Sequence, residues 1–127
     1  MIMSIIVDTN LLIYHLAGVP KATSFLTELI ARQSFNISIL TKIEFLGWDK
    51  HTPEGFEKSK RLVELSQIYP LSQEIADKAI DLRRKRVIKL ADAVIAATAI
   101  VNNLQLATRN VDDFKGIESL SLINPFE

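Results

Sequence analysis

The stretch "SIIVDTNLLIYHL", residues 4–16, joins a short apolar run to a polar triplet and then to a second apolar segment. Residues 4–7 have the composition of a buried strand, and Asp8 follows where that strand leaves the core. Asp8 could cap the next helix, because an aspartate there accepts hydrogen bonds from free backbone N–H groups. Asn10 could cap as well. The residues alone leave capping and chemistry both open for Asp8.

Beyond this stretch, short β-rich runs alternate with amphipathic helices, which is typical of a parallel sheet covered on both faces. The predicted strands are 4–7, 36–39, 67–69, 105–108 and 119–123, and the predicted helices are 10–17, 21–33, 41–48, 54–66, 72–86 and 89–103. We therefore expect an α/β fold with a central, mainly parallel sheet of four to five strands. Ligands of such sheets bind beyond the carboxyl ends of the strands, where Asp8 lies.

Length and composition limit the classes of protein that the chain can belong to. Its 127 residues predict a single domain, residues 1–127. Fifteen basic residues balance fifteen acidic ones, which is weak evidence against a nucleic-acid partner because local patches also attract ligands. The lack of cysteine excludes disulfides and thiolate metal sites. No apolar run reaches the roughly 20 residues of a membrane span, and no signal peptide is recognisable, so we expect no membrane association and a cytoplasmic location. Met1 and Met3 are alternative starts.

Two more acidic residues stand in apolar surroundings. Thr41 and Glu44 have the spacing of a capping box, although the residues around Glu44 are mostly apolar. Asp92 lies in "LADAVIAATAIV", where Thr98 is the only other polar residue, so the helix should be largely buried. A buried carboxylate costs several kcal/mol unless a cation or several donors compensate, whereas a favourable helix dipole contributes only about 0.3–1 kcal/mol.

A fourth acidic position follows the strand "QLAT". Asn110 could cap a short helix that contains Asp112 and Asp113. Asp113 is three residues beyond Asn110, so one helical turn would place the two on the same side. The residues alone leave Asp112 and Asp113 both open as the functional acid.

Together, the acidic positions predict a metal site. Asp8, Glu44 and Asp113 each follow a predicted strand, and Asp92 begins a buried helix. If the strands are parallel, these carboxylates converge at one edge of the sheet and raise one another's pKa values. Mg²⁺ or Mn²⁺ would relieve that repulsion, because both favour carboxylate and water ligands. Such ions activate water for displacement at phosphorus, so phosphodiester hydrolysis is the natural reaction.

These residues resemble a known family. The blocks "VDTNLLIYHL", "ISILTKIEFL", "LADAVIAATAIVNNLQLATRN" and "DDF" span almost the whole chain. In order and spacing they resemble the PIN-domain ribonucleases, specifically the VapC-type toxins of type II toxin–antitoxin pairs. The resemblance implies a three-layer α/β/α PIN-like fold and metal-dependent hydrolysis of RNA.

The resemblance also implies roles for individual residues. Asp8, Glu44 and Asp92 would bind Mg²⁺ or Mn²⁺, and Asp113 would complete the catalytic set. The family's fourth acid falls in "TRNVDDF", where we prefer Asp113, with Asp112 as the alternative. The polar residues expected to support these carboxylates are Thr9, Asn10, Thr108, Asn110 and Asp112.

Partners follow from the same family. RNA needs a basic rim beside an acidic pocket, and the candidate contacts are Arg86, Lys89, Arg109 and Lys115. The "RRKR" run at 83–86 has the simpler explanation of a solvated helix end favoured by the dipole.

Family toxins receive an antitoxin segment in a groove of their early helices and commonly form homodimers, so we expect both partners here. Trp48, Phe45 and Phe56 could form an apolar patch in that region, with core packing as the alternative. His15 is expected to pack and His51 to be solvated, neither being catalytic.

Two rival functions remain. A catalytically inactive PIN-fold module could bind RNA or protein, although every acidic position is present. A haloacid-dehalogenase-like phosphatase would also place an aspartate after the first strand, but it needs a second aspartate where Asn10 stands.

Overall fold

A computed structural model describes residues 4–127; residues 1–3, which contain both candidate starts, lie outside the described residues. Five strands form one sheet in the order β3-β2-β1-β4-β5, and every neighbouring pair is parallel. The strands are β1 (Ile5–Val7), β2 (Phe35–Ser38), β3 (Gln67–Tyr69), β4 (Gln105–Ala107) and β5 (Leu122–Ile123). The helices are α1 (Thr9–Leu16), α2 (Pro20–Ala31), α3 (Ile39–Leu46), α4 (Pro53–Glu64), α5 (Gln73–Lys85) and α6 (Leu90–Val101), with a short 3₁₀ turn at Val111–Asp113. The predicted parallel α/β fold is confirmed.

The core divides into two layers, one on each face of the sheet. Successive residues of a strand point to opposite faces. Accordingly Ile6 packs with α5 and α6, while Ile5 and Val7 pack with α1, α2 and Phe45 of α3. This arrangement gives the predicted three layers. Strand β1 lies at the centre of the sheet, so the residue after it is surrounded by the ends of its neighbours β2 and β4.

Three local predictions are wrong, each for a physical reason. Helix α3 begins at Ile39 rather than at residue 41, because Ser38 Oγ accepts a hydrogen bond from the Thr41 N–H at 3.0 Å and caps the helix. Thr41 is buried inside the helix, so the capping box with Glu44 does not exist. The last strand is short because Ser119 has a φ of 70°, in the left-handed region that a strand cannot contain.

Four further residues complete this comparison. His51 is half-buried rather than solvated: its Nε2 lies 2.6 Å from the Phe45 carbonyl oxygen. Asn10 is the second residue of α1 rather than its cap. Asn110 precedes the 3₁₀ turn without a side-chain capping bond. His15 packs as expected, with Nδ1 3.2 Å from Thr23 Oγ1, and burial lowers its pKa. Within residues 4–127, no helix is long and apolar enough to cross a membrane.

Candidate active site

Asp8 combines the two roles that the sequence left open. It caps α1, since Oδ1 accepts a hydrogen bond of 3.3 Å from the Asn10 N–H. Its other oxygen, Oδ2, accepts a bond of 2.8 Å from Thr108 Oγ1. Its own N–H donates to the carbonyl of Ala107 at 3.1 Å, which ties the end of β1 to the end of β4. The carboxylate is therefore fixed at the carboxyl edge of the sheet.

Glu44 reaches the same place from α3. Thr9 Oγ1 donates a hydrogen bond of 2.8 Å to Glu44 Oε1, which joins the first turn of α1 to the middle of α3. Glu44 is itself exposed, so this bond orients a carboxylate that faces solvent. Thr9 thus acts on Glu44 as Thr108 acts on Asp8.

Asp92 is the third acid, in the first turn of α6. The rest of that helix is buried as predicted, from Ala93 to Ala99, whereas Asp92 is half-buried at its open end. The position places a carboxylate beside unpaired N–H groups, which the helix dipole favours.

All four predicted acidic residues line one cavity. It has a volume of about 340 Å³ and lies at the carboxyl edge of the sheet. Its lining residues are Asp8, Thr9, Asn10, Ile13, Glu44, Trp48, Lys89, Ala91, Asp92, Asn110 and Asp113. A second, much smaller void of about 10 Å³ adjoins Asp8, Glu44 and Asp92 as well, together with Ser38 and Thr41. That volume is near what a single water molecule occupies.

The electrostatics of this cavity are unfavourable without a counterion. Burial raises the pKa of Asp8 above its usual 3.8, and the charge of Glu44 adds to the rise, while hydrogen bonds from Thr108 and Asn10 oppose it. Burial also raises the pKa of Asp92, and the neighbouring charges of Asp8, Asp113 and Glu44 raise it further, with Lys89 opposing. Repulsion between the acids thus accompanies burial at both positions.

The donor set fits a hard divalent cation. Four carboxylates with amide and hydroxyl oxygens nearby, and no histidine in the lining, match the ligands of Mg²⁺ and Mn²⁺. As the side chains stand, no three acidic or histidine groups among residues 4–127 converge closely enough to enclose an ion. Carboxylates without a counterion repel one another, and Mg²⁺ usually keeps several waters, so a cage made only of protein atoms is not required.

The family then follows from comparison with known proteins. The family model described as the PIN domain matches residues 5–119. The chain belongs to the PIN domain family. It is 37% identical over 121 residues to Ribonuclease VapC10 of Mycobacterium tuberculosis, covering 91% of this chain and 90% of that protein. Family membership removes the phosphatase alternative.

Solved structures agree with this assignment. A toxin–antitoxin complex from Klebsiella pneumoniae contains a chain that is 32% identical, with a TM-score of 0.84 and coverage of 98% of this chain and 99% of that one. VapBC2 from Rickettsia felis, bound to a DNA fragment from its promoter, has a TM-score of 0.81 at 23% identity, covering 94% and 97%. The second likeness supports the fold alone.

Not every predicted site residue of this PIN domain lines the cavity. Thr108 lies behind Asp8, fully buried, and Asp112 lies outside the lining although Asp113 is part of it. Of the four basic candidates, only Lys89 lines the cavity. Arg86 instead donates a hydrogen bond of 2.9 Å from Nη1 to the carbonyl of Lys115, and Arg109 stacks on aromatic rings.

Sequence reasoning missed two walls of the cavity, Ile13 and Trp48. Both also line a neighbouring apolar cleft of about 370 Å³, so they separate the two spaces. Trp48 was considered only as part of an apolar patch or of the core. Trp48 lies beyond the end of α3 at Leu46, so its place in the lining is set by the chain after the helix, for which the sequence offered no signal. His51 packs against the Trp48 ring at 5.1 Å and 88°.

Proposed function

We propose that this PIN domain is a metal-dependent endoribonuclease and the toxin of a type II toxin–antitoxin pair. The observation that carries the proposal is the meeting of Asp8, Glu44, Asp92 and Asp113, from four separate segments, around one cavity. The printed name of the 37% identical relative, Ribonuclease VapC10, supports the activity. The toxin–antitoxin complex at 32% identity supports the biological role.

In this proposal Asp8, Asp92 and Glu44 hold Mg²⁺ or Mn²⁺, and Asp113 completes the acidic set. Bound there, the ion lowers the pKa of a water and stabilises negative charge at phosphorus. Thr108 and Thr9 fix the orientation of their carboxylates through the 2.8 Å bonds described above. The remaining polar supports are Asn10 and Asn110, which line the cavity.

RNA must approach a cavity with excess negative charge, so nearby cations have to offset the repulsion. Lys89 is suited to this role because it lines the cavity next to Asp92. Arg86 is less suited, since its guanidinium is already bonded to the Lys115 backbone carbonyl, and Lys115 does not line the cavity.

The apolar cleft beside the cavity is the proposed antitoxin site. It is formed by the end of α1 and the start of α4, and its lining includes Leu16, Trp48 and His51. An antitoxin segment lying there would reach the carboxylates past Trp48 and Ile13, which the two spaces share.

A homodimer is the proposed assembly. The exposed large apolar side chains include Ile80 on α5, Val87 in the following loop and Leu90 at the start of α6. Because α5 and α6 pack against each other, these residues lie on adjoining elements that a second copy could cover.

Growth and cleavage assays test the proposal together. Induced expression should stop growth, and the purified chain should cut total RNA only when Mg²⁺ or Mn²⁺ is supplied. Asp92→Asn should abolish both effects. A folded Asp92→Asn protein that stays equally toxic would overturn the site assignment.

The inactive binding module is the remaining alternative. Calorimetric titration with Mn²⁺ separates the two, because an inactive module should show no binding that depends on Asp8 or Asp92.

A further inference from the structure

Phe126 and Tyr14 form an aromatic cluster around the guanidinium of Arg109. The Arg109 guanidinium carbon lies 5.3 Å from the centre of the Tyr14 ring and 4.5 Å from the centre of the Phe126 ring. The two rings also contact each other edge to face, with centres 5.5 Å apart. Two aromatic faces thus hold one guanidinium, an arrangement that restricts its motion.

The segment that carries Phe126 is itself attached to the body of the protein. Lys21 Nζ donates a hydrogen bond of 3.0 Å to the Phe126 carbonyl, and the Phe126 N–H donates one of 2.9 Å to Asn124 Oδ1. Phe126 also packs against the core layer that contains α1 and α2. Lys21 brings a second cation to this part of the surface, where Glu127 and Glu28 are also present.

The stack lies next to the acidic cavity. Arg109 stands between Thr108, which holds Asp8, and Asn110, which lines the cavity. Tyr14 is four residues after Asn10, on the same face of α1 and about one helical turn, 5.4 Å, further along. Arg109 itself does not line the cavity, but its guanidinium contacts a ring about one turn of α1 from the lining residue Asn10.

The N–H groups of the Arg109 guanidinium remain available as hydrogen-bond donors. Arg109 is exposed, and within residues 4–127 its side chain forms no salt bridge and no hydrogen bond. The contacts with the two rings leave the guanidinium N–H groups without hydrogen-bond partners among residues 4–127, and these groups match a phosphate in geometry and charge. A side chain that is already held in place loses less conformational entropy when it binds.

We propose that Arg109 binds the RNA phosphate next to the cleaved one, and that Phe126 is the positioning residue that holds Arg109 for this contact. The inference rests on the proposed ribonuclease function and adds a substrate contact and a role for the C-terminal segment 124–127. Tyr14 supplies the second ring that contacts the guanidinium, next to that of Phe126.

Binding of RNA at several salt concentrations tests the proposal. Each variant is made in an Asp92→Asn background so that the RNA stays intact, and a fluorescent, mixed-sequence single-stranded oligoribonucleotide is the probe. Arg109→Gln should weaken binding about tenfold, the lower end for hydrogen bonds to a charged group. It should also reduce the slope of log K against log salt by about 0.7, the value for one phosphate contact on a single strand.

Phe126 is tested by its dependence on Arg109. Phe126→Leu should weaken binding about threefold, in proportion to an exposed cation–π contact, while Phe126→Tyr should bind like the parent. With Gln at position 109, Phe126→Leu should have no further effect. Lys60→Gln is the matched control, because Lys60 also lies over a ring, that of Phe56, but lines none of the cavities described above.

Three results would overturn the proposal. The first is an Arg109→Gln variant whose RNA affinity depends on salt as steeply as that of the parent. The second is a loss of RNA affinity in Phe126→Leu that persists with Gln at position 109, which would make Phe126 merely structural. The third is unchanged RNA binding together with loss of binding to a synthetic acidic peptide, which would assign the arginine to a protein partner. Cleavage by the chain with Asp92 intact is measured separately. RNA binding through Arg109 without any cleavage would overturn the ribonuclease proposal instead.

Discussion

Thr108 Oγ1 donates a hydrogen bond of 2.8 Å to Asp8 Oδ2 and so joins the carboxyl ends of two neighbouring strands, β4 and β1. The same hydroxyl oxygen accepts a bond of 3.0 Å from the Asn110 N–H. Thr108 is fully buried, so water cannot replace either bond. The direction of the Asp8 carboxylate is therefore set by a residue 100 positions away in the chain.

Thr108→Val tests that relationship because valine keeps the shape and loses the hydroxyl. Asp8 would lose a donor that favours its charged form, and the Asn110 N–H would lose its acceptor. We expect Mn²⁺ affinity to fall about 10–100-fold, as for other residues that orient metal ligands. The free energy of unfolding should fall by about 1–3 kcal/mol. Calorimetric titration and urea denaturation measure the two quantities. Thr108→Ser should restore metal affinity, and equal affinity in the valine variant would contradict the role.

The raised pKa values of Asp8 and Asp92 predict how stability depends on pH. A carboxyl whose pKa is higher in the folded state binds more protons there, so stability falls as pH rises past its usual value of 3.8. Asp8→Asn and Asp92→Asn remove this penalty. Without metal, both variants should melt at a higher temperature than the parent at neutral pH, and the difference should vanish near pH 4. Thermal melts across that range provide the measurement.

Adding metal should reverse the order of stability. A ligand that binds only the folded protein stabilises it by about 2.7 kcal/mol at a hundredfold excess over Kd. The parent should gain this with Mn²⁺, whereas the two asparagine variants should gain little. Asp112→Asn is the matched control, since Asp112 does not line the cavity and should behave like the parent. A metal response that survives in Asp92→Asn would exclude that carboxylate as a ligand.

Much of the fold was accessible from the sequence because its signals are local. The strands predicted at 4–7 and 105–108 and the helix predicted at 89–103 place β1, β4 and α6 to within two residues. The errors arose where a tertiary choice decides. Ser38 caps α3 in preference to Thr41, because Ser38 directly follows β2 and its Oγ accepts the Thr41 N–H, which places Thr41 within the first turn of the helix.

The site was predictable to the extent that strand ends meet at one edge. That rule brought Asp8, Glu44 and Asp113 together without knowledge of their contacts. The bonds that orient them could not be predicted, since Thr9 and Glu44 are 35 residues apart and Thr108 and Asp8 are 100 apart. The contact of Arg109 with aromatic rings could not be predicted either, because it depends on where the fold places Phe126.

A fourth test decides between Asp112 and Asp113. Asp113 lines the cavity and its charge contributes to the raised pKa of Asp92, whereas Asp112 does neither. We expect Asp113→Asn to slow RNA cleavage by at least about tenfold, as loss of a group that acts on the transition state does. Asp112→Asn should cleave at the rate of the parent. Initial rates on one RNA preparation at fixed Mn²⁺ compare the two, and the opposite order would move the fourth acid to Asp112.

Pairing of two copies through the α5–α6 side is the last prediction. Val87 is fully exposed, at 104% of its reference area, and Leu90 is 62% exposed, so both apolar side chains face water in a single copy. Burial stabilises by roughly 25 cal/mol per Å² of apolar surface, which gives a second copy a reason to cover them. The double change Val87→Ser and Leu90→Ser should convert a dimer into a monomer in light scattering. Leu65→Ser, at an exposed position beside the edge strand β3, is the matched control and should remain dimeric. A parent protein that is already monomeric would contradict the dimer. A double serine variant that remains dimeric would place the dimer contact elsewhere.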